Sequence, residues 1–167
     1  MEEEISSVVQ LFINFLSNDE DIRYQIDYKI QELIKNDPNS FSQLMISILQ
    51  DYQNYPLEIV SLCLIFLRKI FNKSTIALKT NDERFSYSII PQEVADSYIP
   101  LVFSFFSNEN TQISQYASHL LGQLAIYLLN FDLSNPIFLS LIDQIEEGQL
   151  ISPSLESIYF ILLDDYH

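Results

Sequence analysis

Residues 99–126, IPLVFSFFSNENTQISQYASHLLGQLAI, contain the pattern that decides the fold. Apolar residues recur at helical spacing on both sides of a polar stretch, Ser107 to Asn110, and this predicts two helices joined by a short turn. Pro100 lies inside the first helix, which we expect it to kink. The apolar positions of the second helix share one face: Ile113, Ala117, Leu121 and Leu124.

The same pair of helices recurs along the chain. FLSND at residues 15–19 matches FFSNE at residues 105–109, and the apolar spacing that follows is alike in both places. After residues 15–19 the apolar residues are Ile22, Ile26, Ile30 and Leu33. Two further stretches share this spacing, the second of them more weakly: Ile59, Cys63, Leu67 and Ile70, and then Leu155, Tyr159 and Leu163.

The distance between these units indicates a repeat protein. The first apolar residues of the four units are 37, 54 and 42 positions apart: Ile22, Ile59, Ile113 and Leu155. A two-helix unit of about 40 to 47 residues is the period of HEAT and armadillo repeats. Such units hide one helix face on their neighbours and stack. We therefore predict an all-α fold, a right-handed α-solenoid of about four HEAT repeats with eight antiparallel helices.

Prolines and capping residues locate the helix starts. Asp37, Asn135 and Ser152 each precede a Pro, which pairs an N-cap residue with Pro in the first turn. Ser17 with Glu20 fits a capping box. We predict one domain, 1–167, with repeats at about 2–36, 38–79, 91–130 and 135–167 and a loop at 80–90. The predicted helices cover about 2–16, 19–36, 38–53, 56–79, 91–107, 110–130, 135–147 and 153–166.

The charge is strongly negative and unevenly distributed. The chain has 23 acidic and 8 basic residues, a net charge of −15, and every Lys and Arg precedes residue 85. A nucleic-acid partner is excluded, because binding the phosphate backbone requires clustered Lys and Arg. The charge favours a basic protein partner instead. The most apolar run, residues 59–67, is too short to cross a membrane.

Catalytic and metal-binding motifs are missing from the sequence. It contains no glycine-rich phosphate loop and no HExxH, CxxC or GxSxG motif. Cys63, the single cysteine, indicates a reducing compartment, and its register favours a small buried hydrophobe over a nucleophile. His119 and His167 lack the neighbouring ligands that a metal site needs. We therefore predict a binding protein rather than an enzyme, without a cofactor or metal ion.

The order of these features resembles the N-terminal HEAT repeats of the importin-β (karyopherin-β) family of nuclear transport receptors. The resemblance covers roughly residues 10–146. It rests on the acidic first helix, on the apolar run with a basic pair at 62–70 (LCLIFLRKI), and on residues 113–126 (ISQYASHLLGQLAI). The resemblance implies a protein that shuttles between cytoplasm and nucleus and binds a GTP-loaded Ran-type GTPase, nucleoporins and basic cargo. The tryptophan often found after the family's second repeat is missing here.

Helical geometry nominates the residues of the inner face through which that family binds the GTPase. At 100° per residue, the positions opposite the buried stripe of each second helix form one strip, and Tyr and Arg are enriched at protein interfaces. The tyrosines could instead pack against a neighbouring repeat, and the helix dipole could explain the basic residues at 68, 69 and 73. The predicted partner-binding residues are Tyr24, Tyr28, Gln31, Lys35, Ser61, Ile65, Arg68, Asn72, Gln115 and His119.

Two other functions stay open at this stage. One is a generic HEAT scaffold or adaptor subunit, and the other is an acidic chaperone of basic proteins, whose binding would weaken steeply with salt. The last helix is apolar on several sides, from Ile158 to Leu163. We therefore also predict self-association through the C-terminal repeat, or cover by a further repeat.

Overall fold

The computed structural model describes residues 2–80, 89–129 and 136–164. Within these ranges the fold is all-α, as predicted, and contains no β-strand. Of the predicted loop at 80–90, residues 81–88 lie outside the described ranges. Single turns of 3₁₀-helix follow the third helix at Tyr52–Asn54 and the fifth at Phe105–Ser107. The helices are α1 (Glu2–Phe15), α2 (Glu20–Asn36), α3 (Pro38–Gln50), α4 (Leu57–Thr80), α5 (Gln92–Ser104), α6 (Thr111–Leu128), α7 (Pro136–Glu146) and α8 (Ile151–Asp164).

The helices pack in a regular order. Each odd-numbered helix contacts the even-numbered helix that follows it, from α1 with α2 to α7 with α8. The even-numbered helices α4, α6 and α8 pack side by side, and α1, α3 and α5 contact one another in the same sequence. The most extensive packing in the described chain is that of α6 against α4 and α8, so α6 is the centre of the structure.

Aromatic side chains join the first helices to the centre. Phe12 of α1 stacks on Phe66 of α4 with 5.4 Å between ring centroids. Phe71 of α4 meets Tyr98 of α5 and Tyr127 of α6 edge-on, at 6.2 and 5.2 Å. Aromatic rings bury more apolar area than other side chains, and edge-to-face pairs add to this. These contacts therefore hold α4 against three neighbouring helices.

Helix α6 is enclosed on every side in its second half, where residues 120–128 are all buried. An apolar helix of this kind belongs in a core. The faces predicted for α4 and α6 are confirmed. Every nominated position on them is buried, namely Ile59, Cys63, Leu67 and Ile70 on α4 and Ile113, Ala117, Leu121 and Leu124 on α6.

The face predicted for α2 is wrong at its two ends. Ile22 and Leu33 are exposed, and the buried residues are Ile26, Ile30 and Ile34. A spacing of four along a helix gives a narrow stripe. This narrow stripe suffices because α2 packs mainly against α1 and α3 and meets α4 less closely.

The face predicted for α8 is also wrong. Leu155 and Tyr159 are exposed, and the side chain of Leu163 lies outside the described set. The buried residues are Ser154, Ser157 and Ile161. The hydroxyl of Ser157 donates to the carbonyl oxygen of Ser118 at 2.8 Å, which brings α8 close to α6. Small side chains permit this approach, so the buried face of α8 includes two serines beside Ile161.

Two helix starts differ from those predicted. Asp19, rather than Ser17, is the N-cap of α2, and its carboxylate accepts from the N–H groups of Asp21 and Ile22 at 3.0 and 3.2 Å. An ionised carboxylate is a stronger acceptor than a hydroxyl. Helix α8 begins at Ile151, before the predicted cap at Ser152.

The start of α3 is as predicted. The carboxylate of Asp37 accepts from the N–H of Ser40 at 3.1 Å, and Pro38 is the first helical residue. Asn135, the third predicted cap, lies outside the described residues. Helix α5 continues through Pro100 to Ser104.

Candidate protein-binding face

The tyrosines nominated on α2 point into solvent. Tyr24 is 78% exposed and Tyr28 63% exposed, so the alternative that they pack against a neighbouring repeat is wrong within the described chain. Lys35, on the same side of α2, is also exposed, whereas Gln31 is half-buried. Two exposed tyrosines one turn apart form an apolar contact surface with two hydroxyl groups.

Gln31 is half-buried because it faces α4. The ammonium of Lys73 donates to Gln31 Oε1 at 2.7 Å, and Gln31 Nε2 donates to Asp27 Oδ1 at 3.2 Å. Burial lowers the pKa of Lys73, and neighbouring Lys69 lowers it further, while Asp27 raises it. The three side chains therefore form a polar link between α2 and α4 that carries one negative and one positive charge.

A second polar link connects α4, α6 and α8. His119 Nε2 lies 3.8 Å from Glu156 Oε2, and Ser118 Oγ donates to the same carboxylate oxygen at 3.1 Å. Burial lowers the pKa of His119, the positive charge of Arg68 lowers it further, and Glu156 raises it. The charge of Arg68 on α4 therefore acts on the contact between His119 of α6 and Glu156 of α8.

The nominated residues thus fall into two groups. The structure places Gln31 in the first polar link and Arg68 and His119 in the second. The others lie on the same helices and are exposed or half-buried: Tyr24, Tyr28 and Lys35 on α2, Ser61, Ile65 and Asn72 on α4, and Gln115 on α6. We call the surface formed by Tyr24, Tyr28, Gln31, Lys73, Arg68, His119 and Glu156 the polar face.

The helix dipole does not explain the basic residues at 68, 69 and 73. The helix ends at Thr80, and Lys73, the closest of these three to that end, is still seven residues away. Dipole effects are confined to the last turn. Lys73 and Arg68 instead occupy the two polar links, and the ammonium of Lys69 lies 5.8 Å from the ring centroid of Phe66.

Sequence reasoning missed Asp27, Lys73 and Glu156 as members of this face. Asp27 follows the buried Ile26, and Lys73 follows the nominated Asn72. At 100° per residue both fall outside the predicted strip. Glu156 was missed because the buried face of α8 was placed on Leu155. The i, i+4 pair Asp27 and Gln31 was the signal available in the sequence.

A polar groove lies at one end of the polar face. It has a volume of about 410 Å³ and runs between the first turns of α6 and α8. Glu156 is its one charged residue among those described. The others are amides, hydroxyls and a proline: Asn108, Thr111, Gln112, Ser114, Gln115, Ser152 and Pro153. Such a lining offers hydrogen-bond acceptors and one negative charge to a cationic group.

The remaining reactive groups are buried or dispersed. Cys63 is fully buried, as predicted, and burial raises the pKa of its thiol far above the usual range. Among the described residues, no three His, Cys, Asp or Glu side chains come close enough together to hold a metal ion. The described helices include none with the length and hydropathy needed to span a bilayer.

Comparison of the chain with protein-family models, with curated proteins and with solved structures finds no match.

Proposed function

We propose that the chain is a helical-repeat scaffold, an α-solenoid of about four HEAT repeats, that binds a protein partner through its polar face. The regular contacts of α1 with α3 and α5, and of α4 with α6 and α8, support the repeat arrangement. Repeat stacks of this kind present extended binding surfaces.

The observation that carries the proposal is the composition of the polar face. It combines two exposed tyrosines with an arginine, a histidine and two polar links across four helices. Tyr and Arg dominate the binding energy of protein interfaces, because both bury a large area and form hydrogen bonds. The links hold their side chains in place before a partner arrives, which reduces the entropy lost on binding.

A photo-crosslinking amino acid at position 24 tests this proposal. We expect it to capture a protein partner in extracts of the source cells, whereas the same group at exposed Leu139 of α7 should not. Tyr28→Ala should weaken the capture at position 24 by about tenfold if Tyr28 is a binding hot spot. Equal capture at both positions, or capture unaffected by Tyr28→Ala, would contradict the proposal.

The narrower proposal is an importin-β-type transport receptor, and it rests on the sequence resemblance together with the same face. Its partner is a Ran-type GTPase in the GTP form. Titration with GTP-loaded and GDP-loaded Ran decides this point, because the transport function requires tighter binding of the GTP form. Equal binding of the two nucleotide forms, or no binding, would contradict the transport receptor and would favour the generic scaffold.

An acidic chaperone is distinguished by its salt dependence. Such a protein would bind several unrelated basic proteins, and its affinity would fall steeply between about 50 and 300 mM salt. A scaffold that uses tyrosines should lose less affinity over this range, because apolar contacts are not screened.

A further inference from the structure

Helix α8 exposes a row of apolar residues. The side chains of Ile151, Leu155 and Tyr159 are 46%, 50% and 65% exposed, while Ser154, Ser157 and Ile161 are buried against the rest of the protein. Amphipathic helices in globular proteins usually turn polar residues to solvent. The three exposed residues are spaced by four and therefore form one continuous row, which we call the α8 row.

Isolated exposed apolar residues are common and need no explanation, whereas contiguous rows mark binding surfaces. The α8 row is contiguous, and within the described ranges its three side chains stay about half exposed or more. A partner that covers the row would remove this apolar area from water, which is favourable. The question is which partner covers it.

The polar groove borders the α8 row. Ser152 and Glu156, which line the groove, directly follow Ile151 and Leu155 of the row. At 100° per residue the two surfaces are adjacent on the helix. A single partner segment can therefore contact both, with an apolar side on the row and a cationic side chain at the Glu156 carboxylate.

The charge around the α8 row indicates whether a second copy of the chain or a different protein covers it. Acidic pairs flank the row in the sequence, Glu146-Glu147 before it and Asp164-Asp165 after it, and no Lys or Arg follows residue 84. A symmetric dimer through this row would bring the two acidic surfaces together, and like charges in an interface are costly. A partner with Lys or Arg around its apolar residues gains from the same charges.

We propose that the α8 row and the polar groove form a docking site for an amphipathic helix with apolar residues along one side and Lys or Arg beside them, one of which reaches Glu156. Apolar anchors at i, i+4 and i+7 spacing fit such a row, as in other helix-in-groove complexes. This site is separate from the tyrosines of α2, so it stands whether or not the polar face binds a partner there.

The probe is a fluorescein-labelled model peptide, LKKLLKKLLKKLLK, titrated against the full chain by fluorescence anisotropy at about 150 mM salt. Two matched peptides separate the contributions. One has Glu in place of every Lys, and the other has Ser in place of every Leu. We expect only the peptide with both Leu and Lys to bind tightly, with at least about tenfold weaker binding of the Glu-containing and Ser-containing peptides.

Variants of the chain locate the site. Leu155→Ala with Tyr159→Ala should weaken peptide binding by about tenfold, and Glu156→Gln by about threefold. Leu139→Ala on α7, which also alters an exposed leucine, and Tyr24→Ala should leave it unchanged. Circular dichroism and urea midpoints establish that each variant is folded. Alanine at two exposed positions of a helix preserves helix propensity.

Three results would overturn the proposal. The Leu- and Lys-containing peptide could bind the wild type and the doubly substituted variant equally, or the Ser-containing peptide could bind the wild type as tightly as the Leu-containing one; either result shows general attraction to an acidic protein. The third is a dimer, seen by sedimentation, that Leu155→Ala with Tyr159→Ala dissociates while peptide binding is absent. That result would assign the row to a second copy.

Discussion

The ammonium group of Lys73 on α4 and the side-chain amide of Gln31 on α2 are joined by a hydrogen bond of 2.7 Å. It connects two helices that approach each other less closely than α4 and α6 do. Asp27 supports the pair by accepting from the Gln31 amide. A long side chain with a charged end can bridge a gap that apolar side chains would leave open. The position of α2, and with it that of Tyr24 and Tyr28, therefore depends partly on this contact.

Removing the bond between Gln31 and Lys73 should destabilise the chain. We expect Lys73→Met, which keeps the length of the side chain, to lower the free energy of unfolding by about 1 kcal/mol. Lys29→Met, at an exposed position of α2, should change it by less than about 0.5 kcal/mol. Urea denaturation measures both. A double-mutant cycle with Gln31→Ala should give a coupling energy of about 1 kcal/mol, and a coupling near zero would contradict the contact.

His119 should make the stability depend on pH near neutrality. Its pKa is lowered in the folded protein by burial and by Arg68, so below about pH 6.5 the unfolded chain binds more protons than the folded one. The contribution of His119 to stability therefore falls as the pH is reduced from about 7.5 to 5.5. His119→Gln should be more stable relative to wild type at the lower pH. His167→Gln, which removes the other histidine, is the control.

Nuclear magnetic resonance tests the His119 prediction directly. The imidazole should titrate below the usual value of about 6.5 in the folded protein, and Glu156→Gln should lower the pKa further because it removes a negative charge that raises it. A folded-state pKa at or above the usual value would show that Glu156 outweighs burial and Arg68.

The phenol of Tyr127 should contribute more than an average hydrogen bond. It donates to the carbonyl oxygen of Ile90, and both residues are fully buried. Tyr127→Phe leaves that carbonyl without this donor, and we expect a loss of about 2 kcal/mol. Tyr116→Phe is the matched control, because the Tyr116 hydroxyl accepts from Gln112 at the surface and should matter by about 0.5 kcal/mol or less.

Alkaline pH gives a second test of Tyr127. Burial raises the pKa of Tyr127 to about 12. In the unfolded chain a tyrosine ionises near pH 10, so the stabilising effect of a raised pKa is complete below about pH 10 and is lost as the pH rises towards 12. The difference in stability between wild type and Tyr127→Phe should therefore shrink over this range. A constant difference would speak against the buried phenol.

Ser154 and Ser157 on the buried face of α8 should respond oppositely to alanine. Ser157 Oγ donates to the Ser118 carbonyl, whereas no described group lies within hydrogen-bond distance of Ser154 Oγ. Alanine improves helix propensity equally at both positions. We expect Ser157→Ala to lose about 1 kcal/mol and Ser154→Ala to be neutral or to gain up to about 1 kcal/mol. Thermal unfolding of the two variants, side by side, measures the difference.

Helical periodicity was sufficient to predict the buried residues of helices whose apolar residues lie on one side or on every side. On α4 and α6 the nominated positions are buried, because these two helices are covered by several neighbours. On α8 periodicity failed. This helix has apolar residues on more than one side, and the side that faces α6 carries Ser157, whose hydroxyl donates to the Ser118 carbonyl.

The polar face could be predicted only in part. The rotation of each helix follows from its own buried stripe, so Tyr24, Arg68 and His119 could be assigned to the exposed side of their helices. The distances between helices do not follow from a stripe. For this reason the contacts from Lys73 to Gln31 and from His119 to Glu156, which join residues 42 and 37 positions apart, needed the structure.

Asp37 is the single residue between α2 and α3, and it serves both helices. Its backbone N–H donates to the Leu33 carbonyl at the end of α2, while its carboxylate caps the first turn of α3. A displacement of this one residue therefore disturbs the end of α2 and the start of α3 together, and we expect the two helix ends to fray as a pair.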